Sequence, residues 1–219
     1  MNGTDSSRRP LKTRDTKWAK TVAVWLVTMR AKPNHISIAS ILFAALAGGA
    51  FACVNRFSPP AAGWCYLAAA AGIQLRLLCN MLDGMVAVEG GMRSKTGELF
   101  NEIPDRFADA LILIGAGYVD GPDSRWVIVG WLAAVLAVIT AYTRAIGVVA
   151  GASQSFLGPM AKPHRMALLT AACLVAAVCT WLHFDARIIL IALEIMIAGC
   201  LVTIYRRCRQ IAGKLNSKP

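Results

Sequence analysis

Between Asn80 and Asp109 the chain reads NMLDGMVAVEGGMRSKTGELFNEIPDRFAD, which gathers half of its twelve acidic residues: Asp83, Glu89, Glu98, Glu102, Asp105 and Asp109. On a helix Glu98, Glu102, Asp105 and Asp109 step by four, three and four, so they share one face over ~16 Å at 1.5 Å per residue. Asn101 joins the edge of that face one turn before Asp105. Upstream, Asn80 and Asp83 are i, i+3 neighbours, followed at once by Gly84. Carboxylate and amide oxygens brought together this way make a nest for hard divalent cations, which take oxygen ligands alongside substrate phosphates. Two ions ~3.5–4 Å apart would clamp a pyrophosphate during displacement at phosphorus. The plain alternative is structural: these carboxylates pair with Arg76 or Arg106 and lock helices together.

The elements that must position these groups are apolar. Of the 219 residues 57% are hydrophobic and 16% charged, with a mean hydropathy of +0.54. That composition excludes an ordinary soluble domain and predicts an all-α integral membrane protein. Six stretches approach the ~20 residues that cross a ~30 Å hydrocarbon layer. They are His35–Val54, Ala62–Val88, Gly97–Val119, Arg125–Gly151, Arg165–His183 and Ala186–Tyr205. The third is the most polar, and its first half is expected to line a site rather than face lipid.

Before the first span, Trp18, Val22, Trp25, Leu26 and Met29 fall on one helical face, with Lys17 and Lys20 off it. An amphipathic helix lying in the membrane interface is expected there. The expected organisation is a basic arm with this helix over residues 1–34, one six-helix domain over 35–206, and a basic tail over 207–219.

The net charge of +11 is placed unevenly. Basic residues crowd the stretch before the first span, the loops after the second and fourth, and the end of the chain, while the opposite loops hold only Arg56, Arg125 and Arg187. This asymmetry puts both termini in the cytoplasm, with the basic arms against anionic headgroups. No aromatic-interleaved basic module supports a nucleic-acid partner. The seven cysteines form no CxxC pair and the three histidines no HExxH, so zinc and disulfide frameworks are not expected.

The segment Asn80–Asp105 resembles the CDP-alcohol phosphotransferase pattern D-x-x-D-G-x-x-A-R-x(8)-G-x-x-x-D-x-x-x-D. Asp83, Gly84, Ala87, Gly97 and Asp105 match at the right spacing. Pro33-Asn34-His35-Ile36-Ser37 before the first span and the six-span layout also fit. Three positions depart: Asn80 and Asn101 stand where the family carries aspartate, and Val88 where it carries arginine. An asparagine lends a carbonyl oxygen to a metal but no charge, which weakens divalent binding, above all at a second ion. Glu102 and Asp109 lie beside that deficit.

The resemblance implies Mg²⁺- or Mn²⁺-dependent transfer of a substituted phosphate from a CDP-alcohol, such as CDP-diacylglycerol, to a small alcohol, with loss of CMP. It also implies a homodimeric enzyme of phospholipid synthesis in a bacterial inner membrane. Asp105 would be the general base, and Asp83, Asn80, Asn101, Asp105 and Asp109 the metal ligands. Gly84, Ala87 and Gly97 would adjoin the CDP-alcohol, with Arg76 or Arg93 standing in for the missing arginine.

Arg144, late in the fourth span, and Lys162 and Arg165, before the fifth, belong on the same side as the acidic cluster. They are candidate ligands for the phosphate of a phosphorylated acceptor, against the simpler reading of positive-inside anchoring. Two other classes stay open: a non-catalytic binder of CDP-lipid, and a transporter of ions or small polar solutes that uses the carboxylates as a relay. The lack of duplicated halves disfavours the transporter.

Overall fold

The computed structural model describes residues 16–92, 96–184 and 187–217, without the side chain of Glu98. Among the described residues there are seven α-helices and no strand. They are α1 (Lys17–Thr28), α2 (Pro33–Cys53), α3 (Pro59–Glu89), α4 (Gly97–Gly117), α5 (Trp126–Val149), α6 (Lys162–Trp181) and α7 (Ile188–Asn216). Prolines sit in the first turn of α2, α3 and α6, where the missing N–H costs no helical bond and the fixed φ favours starting one. Five helices, all but α1 and α4, are long and apolar enough to cross a membrane. The polar first half of α4 keeps it below that measure. The expected boundaries after residues 34 and 206 fall inside α2 and α7, and α7 runs unbroken through Tyr205 to Asn216.

The helices from α2 onward close a ring in the order α2, α3, α6, α7, α5, α4, with α2 in contact with α4 to complete it. Small side chains are frequent inside, beside larger ones such as Phe51, Ile73 and Leu193. Ala44, Ala47, Ala69, Ala133, Ala137, Ala172, Ala177 and Ala192 are buried in the core, while Ile38, Leu42, Leu46, Trp131, Val135, Leu174, Val178, Ile191 and Ile195 project outward. Small inward residues bring backbones close and win dispersion contacts, which is how helices associate when both alternatives are apolar. The α2–α4 crossing is the tightest case. A Cβ on Gly48 would lie 2.5 Å from the Leu111 carbonyl oxygen, and one on Gly115 would overlap the Gly48 backbone.

Outside the ring, α1 lies against the end of α3. Ala19 and Ala23 are its buried residues, packed with Val22 and Leu26 on Met81, Leu82, Met85 and Val86. The aromatic face expected to be its apolar side is divided: Val22 and Leu26 turn in, whereas Trp18, Trp25 and Met29 are exposed.

Gly48→Ala should lower the thermal midpoint of the detergent-solubilised protein, at a cost of about 1–3 kcal/mol for overpacking a closed contact. Gly49→Ala, with nothing within 4 Å of the added Cβ, should be neutral or stabilising. Equal midpoints for the two variants would contradict the crossing described.

Candidate functional site

Inside the ring, a cavity of about 580 Å³ opens at the end where α3 finishes and α4 begins. From α3 it receives Asn80, Asp83 and Gly84. From α4 come Asn101, Glu102, Asp105, Arg106 and Asp109, and opposite them stand Arg144 of α5 with Lys162 and Arg165 of α6. The backbones of α3 and α4 approach each other at few positions, with α2 packed on both, and long side chains bridge the gap. The two polar helix ends therefore face each other across a space rather than as packed antiparallel neighbours.

The floor of the cavity is an ion-pair network. Asp109 is buried and accepts from two guanidinium groups: Arg76 Nη2 at 2.6 Å on one oxygen and Arg165 Nη2 at 2.6 Å on the other. Arg76, fully buried, also donates to the Asp105 backbone carbonyl at 3.2 Å. Arg165 donates a further bond to the Met160 carbonyl at 2.8 Å. Asp105 Oδ1 takes the side-chain amide of Asn80 and lies 3.4 Å from Arg76 Nη2, while its Oδ2 lies 2.5 Å from Lys162 Nζ. Two carboxylates of α4 are thus tied to α3 and α6 by the chain's own cations.

The rim carries a second, more exposed group. Glu102 accepts from Arg144 Nη2 on both oxygens, at 2.8 and 2.7 Å, and from Arg106 one turn along the same helix. The Arg144 guanidinium also sits over the Phe156 ring, 5.8 Å from its centroid. Asp83 differs from the rest. Its partner is the Ser37 hydroxyl of α2 at 2.7 Å, and among the described residues no lysine or arginine forms an ion pair with it.

Lys162 and Arg165 reach the cavity because the loop between α5 and α6 is strapped to α7. The Thr203 hydroxyl accepts from the Met160 N–H at 3.0 Å, and Arg207 donates to the carbonyls of Leu157 at 2.9 Å and Thr140 at 2.7 Å. Gly158 has φ of 120°, and a Cβ there would strike Thr203. In α4, Pro104 lacks an N–H, so the Phe100 carbonyl beside Asn101 gains no helical bond from it.

The cavity therefore brings together Asn80, Asp83, Gly84, Asn101, Asp105, Asp109, Arg144, Lys162 and Arg165. Three expected ligand-binding residues are not on its wall. Arg76 is turned wholly into the Asp105–Asp109 floor, which makes it a brace. Ala87 lies one turn beyond Gly84, and Gly97 opens α4 a turn before Asn101. Arg93 lies outside the described residues. Sequence reasoning missed the contribution of Ser37, whose signal was a hydroxyl at the polar start of an apolar span. It also missed that Trp18 and Phe156 line the cavity and that α7 straps the α5–α6 loop; nothing local to those residues marks those roles.

Among the described residues, no three His, Cys, Asp or Glu side chains converge as metal ligands. The donors that fit a hard cation are the Asp83 carboxylate and the amide oxygen of Asn80 on α3, with the amide oxygen of Asn101 on α4.

No family model and no curated protein matches the chain. Solved structures do. The chain is similar to the Mycobacterium tuberculosis phosphatidylinositol phosphate synthase with CDP-DAG bound, at 18% identity and a TM-score of 0.71, covering 93% of this chain and 96% of that one. Against the same synthase in complex with manganese and citrate, identity is 17% and the TM-score 0.73, over 89% and 88% of the two chains. Against its apo form the values are 20% and 0.67, over 88% and 95%. The membrane-competent helical fold is therefore shared with that synthase.

Asp109→Asn would leave Arg76 and Arg165 buried with half their charge unanswered, a loss of about 3–5 kcal/mol. The expected result is a larger fall in thermal midpoint than for Asp83→Asn, which strands no cation. The reverse order would show that the floor network does not hold the helices.

Proposed function

We propose that this chain is a membrane-embedded CDP-alcohol phosphotransferase. It would transfer a substituted phosphate from a CDP-alcohol such as CDP-diacylglycerol to a small alcohol, with release of CMP. The observation that carries this reading is that Asn80, Asp83, Asn101 and Asp105 line one cavity, in a fold that the CDP-DAG-binding synthase shares. The cavity and both termini are assigned to the cytoplasmic side of a bacterial inner membrane, by the charge asymmetry of the loops. In that setting α4 serves as a sixth crossing. Its outward residues Phe100, Ile103 and Phe107 are exposed and apolar, while its charged face looks inward. The tryptophans of α1 lie at headgroup depth.

Asp83 with Asn80 and Asn101 would hold Mg²⁺ or Mn²⁺, and a divalent ion there neutralises donor phosphate charge as the cytidylate leaves. Asp105 accepts the proton of the acceptor hydroxyl, whose oxygen then attacks phosphorus. Its two anchored oxygens keep it aimed into the cavity. Gly84, with no side chain, leaves the α3 wall open to the donor. Arg144, Lys162 and Arg165 stand across the cavity, where they would receive the phosphate of a phosphorylated acceptor. Arg144 would exchange Glu102 for that phosphate. Positioning and charge neutralisation supply most of the acceleration in such transfers.

A second reading has its own support. Asn80 and Asn101 bring no charge, and both oxygens of Asp105 are already engaged, as suits a protein that binds CDP-lipid without turnover. CMP release separates the two. Purified protein given CDP-diacylglycerol, Mn²⁺ and a panel of alcohols and alcohol phosphates should release CMP with at least one acceptor. Asp105→Asn should lower that rate by about 10²–10⁴-fold. Binding of CDP-lipid with no CMP from any acceptor would decide for the second reading. Arg144→Ala should raise the acceptor's KM about tenfold, ~1.4 kcal/mol, with the donor's nearly unchanged. Equal rises would remove Arg144 from acceptor binding.

A further inference from the structure

The cavity is already rich in fixed positive charge. Glu102, Asp105 and Asp109 are answered by Arg106, Arg144, Lys162 and Arg165 on the wall and by Arg76 behind it. The two amide positions, Asn80 and Asn101, remove negative charge that a pair of divalent ions would need. Both oxygens of Asp109 are held by guanidinium groups. Asp105 is closed on one side by Asn80 and Arg76 and on the other by the Lys162 ammonium at 2.5 Å. Only Asp83, bonded to a hydroxyl, faces the cavity without a basic partner among the described residues.

We propose that the Lys162 ammonium takes the electrostatic place of a second divalent cation, so that the cavity binds a single divalent ion, on the Asp83 side. This rests on the transferase reading for its substrate and deepens it at one point. A two-ion clamp places a cation on each flank of the reacting phosphate. Here one flank is Asp83 with the amide oxygens, and the other is a tethered monovalent cation. Its delivery is built into the fold. Lys162 is the first residue of α6, followed by Pro163, at the end of a loop pinned to α7 by Thr203 and Arg207. The four-carbon stem and three donors of a lysine let its head move from Asp105 to an incoming phosphate oxygen.

The test is Mn²⁺ stoichiometry, read from the paramagnetic resonance of free ion during titration of the purified, metal-stripped protein in nanodiscs without substrate. The wild type should bind one Mn²⁺ per chain, and Asp83→Asn should abolish that site. The double variant Asn101→Asp, Lys162→Gln should gain a second equivalent. Two ions or none on the wild type, or one ion that survives Asp83→Asn, would overturn the proposal. So would a folded double variant that still binds only one. CMP release measured on the same samples keeps the two readings apart. Turnover with two bound ions sinks the single-ion site alone, and one bound ion without turnover on any acceptor sinks the transferase reading alone.

Discussion

The Asp109 carboxylate, held between Arg76 and Arg165, is the contact on which the rest of the site depends. It joins three helices in the interior of an apolar ring, where an unanswered charge costs several kcal/mol. With the bonds of Arg76 and Asn80 to Asp105, it is one of the few ties between α3 and α4, whose backbones approach at few positions. The floor network therefore both stabilises the ring and sets the distance between the two oxygen-bearing walls. Removing one member exposes the charge of the others, so these residues act as a unit rather than as separable pairs.

The rest of the ring is arranged so that this network can stay buried. Alanine and glycine face inward among larger buried side chains such as Phe51, Ile73, Ile112 and Leu193, and let the backbones approach. Close approach at Gly48 and Gly115 draws the far end of α4 against α2. The opposite end of α4, with Asn101 and Glu102, stays open as the cavity wall. One helix thus serves as packed stave at one end and as polar wall at the other. This explains why its overall hydropathy falls below that of its neighbours.

Much of this was legible in the chain itself. The three-four step of Glu102, Asp105 and Asp109 put them on one face because a helix repeats every 3.6 residues whatever surrounds it. Asp83 and Gly84 announced the facing wall through their spacing to Gly97 and Asp105. Positive charge at Lys162 and Arg165, in the first turn of α6, pointed to the cavity end of the ring. What could not be read was partner choice. Arg76 is as arginine-like in sequence as Arg93, yet burial turns it to the floor, which it reaches through Nη2 alone. Ser37 lies 46 positions from Asp83, and only the folded ring makes them neighbours. The contact of α1 with α3 was hidden for the same reason: it is made through small Ala19 and Ala23, which no apolar pattern marks.

Helix α7 outlasts its apolar stretch, and the turns past Tyr205 do structural duty. Arg207, buried at 4% exposure, reaches the carbonyls of two other segments and keeps the α5–α6 connection seated. A chain shortened after its last membrane-length run would retain every apolar crossing and still lose the buttress beneath Lys162. The natural end of the bilayer helix is therefore not the end of the working part, and the cationic terminus belongs to the architecture of the pocket as much as to its lipid surroundings.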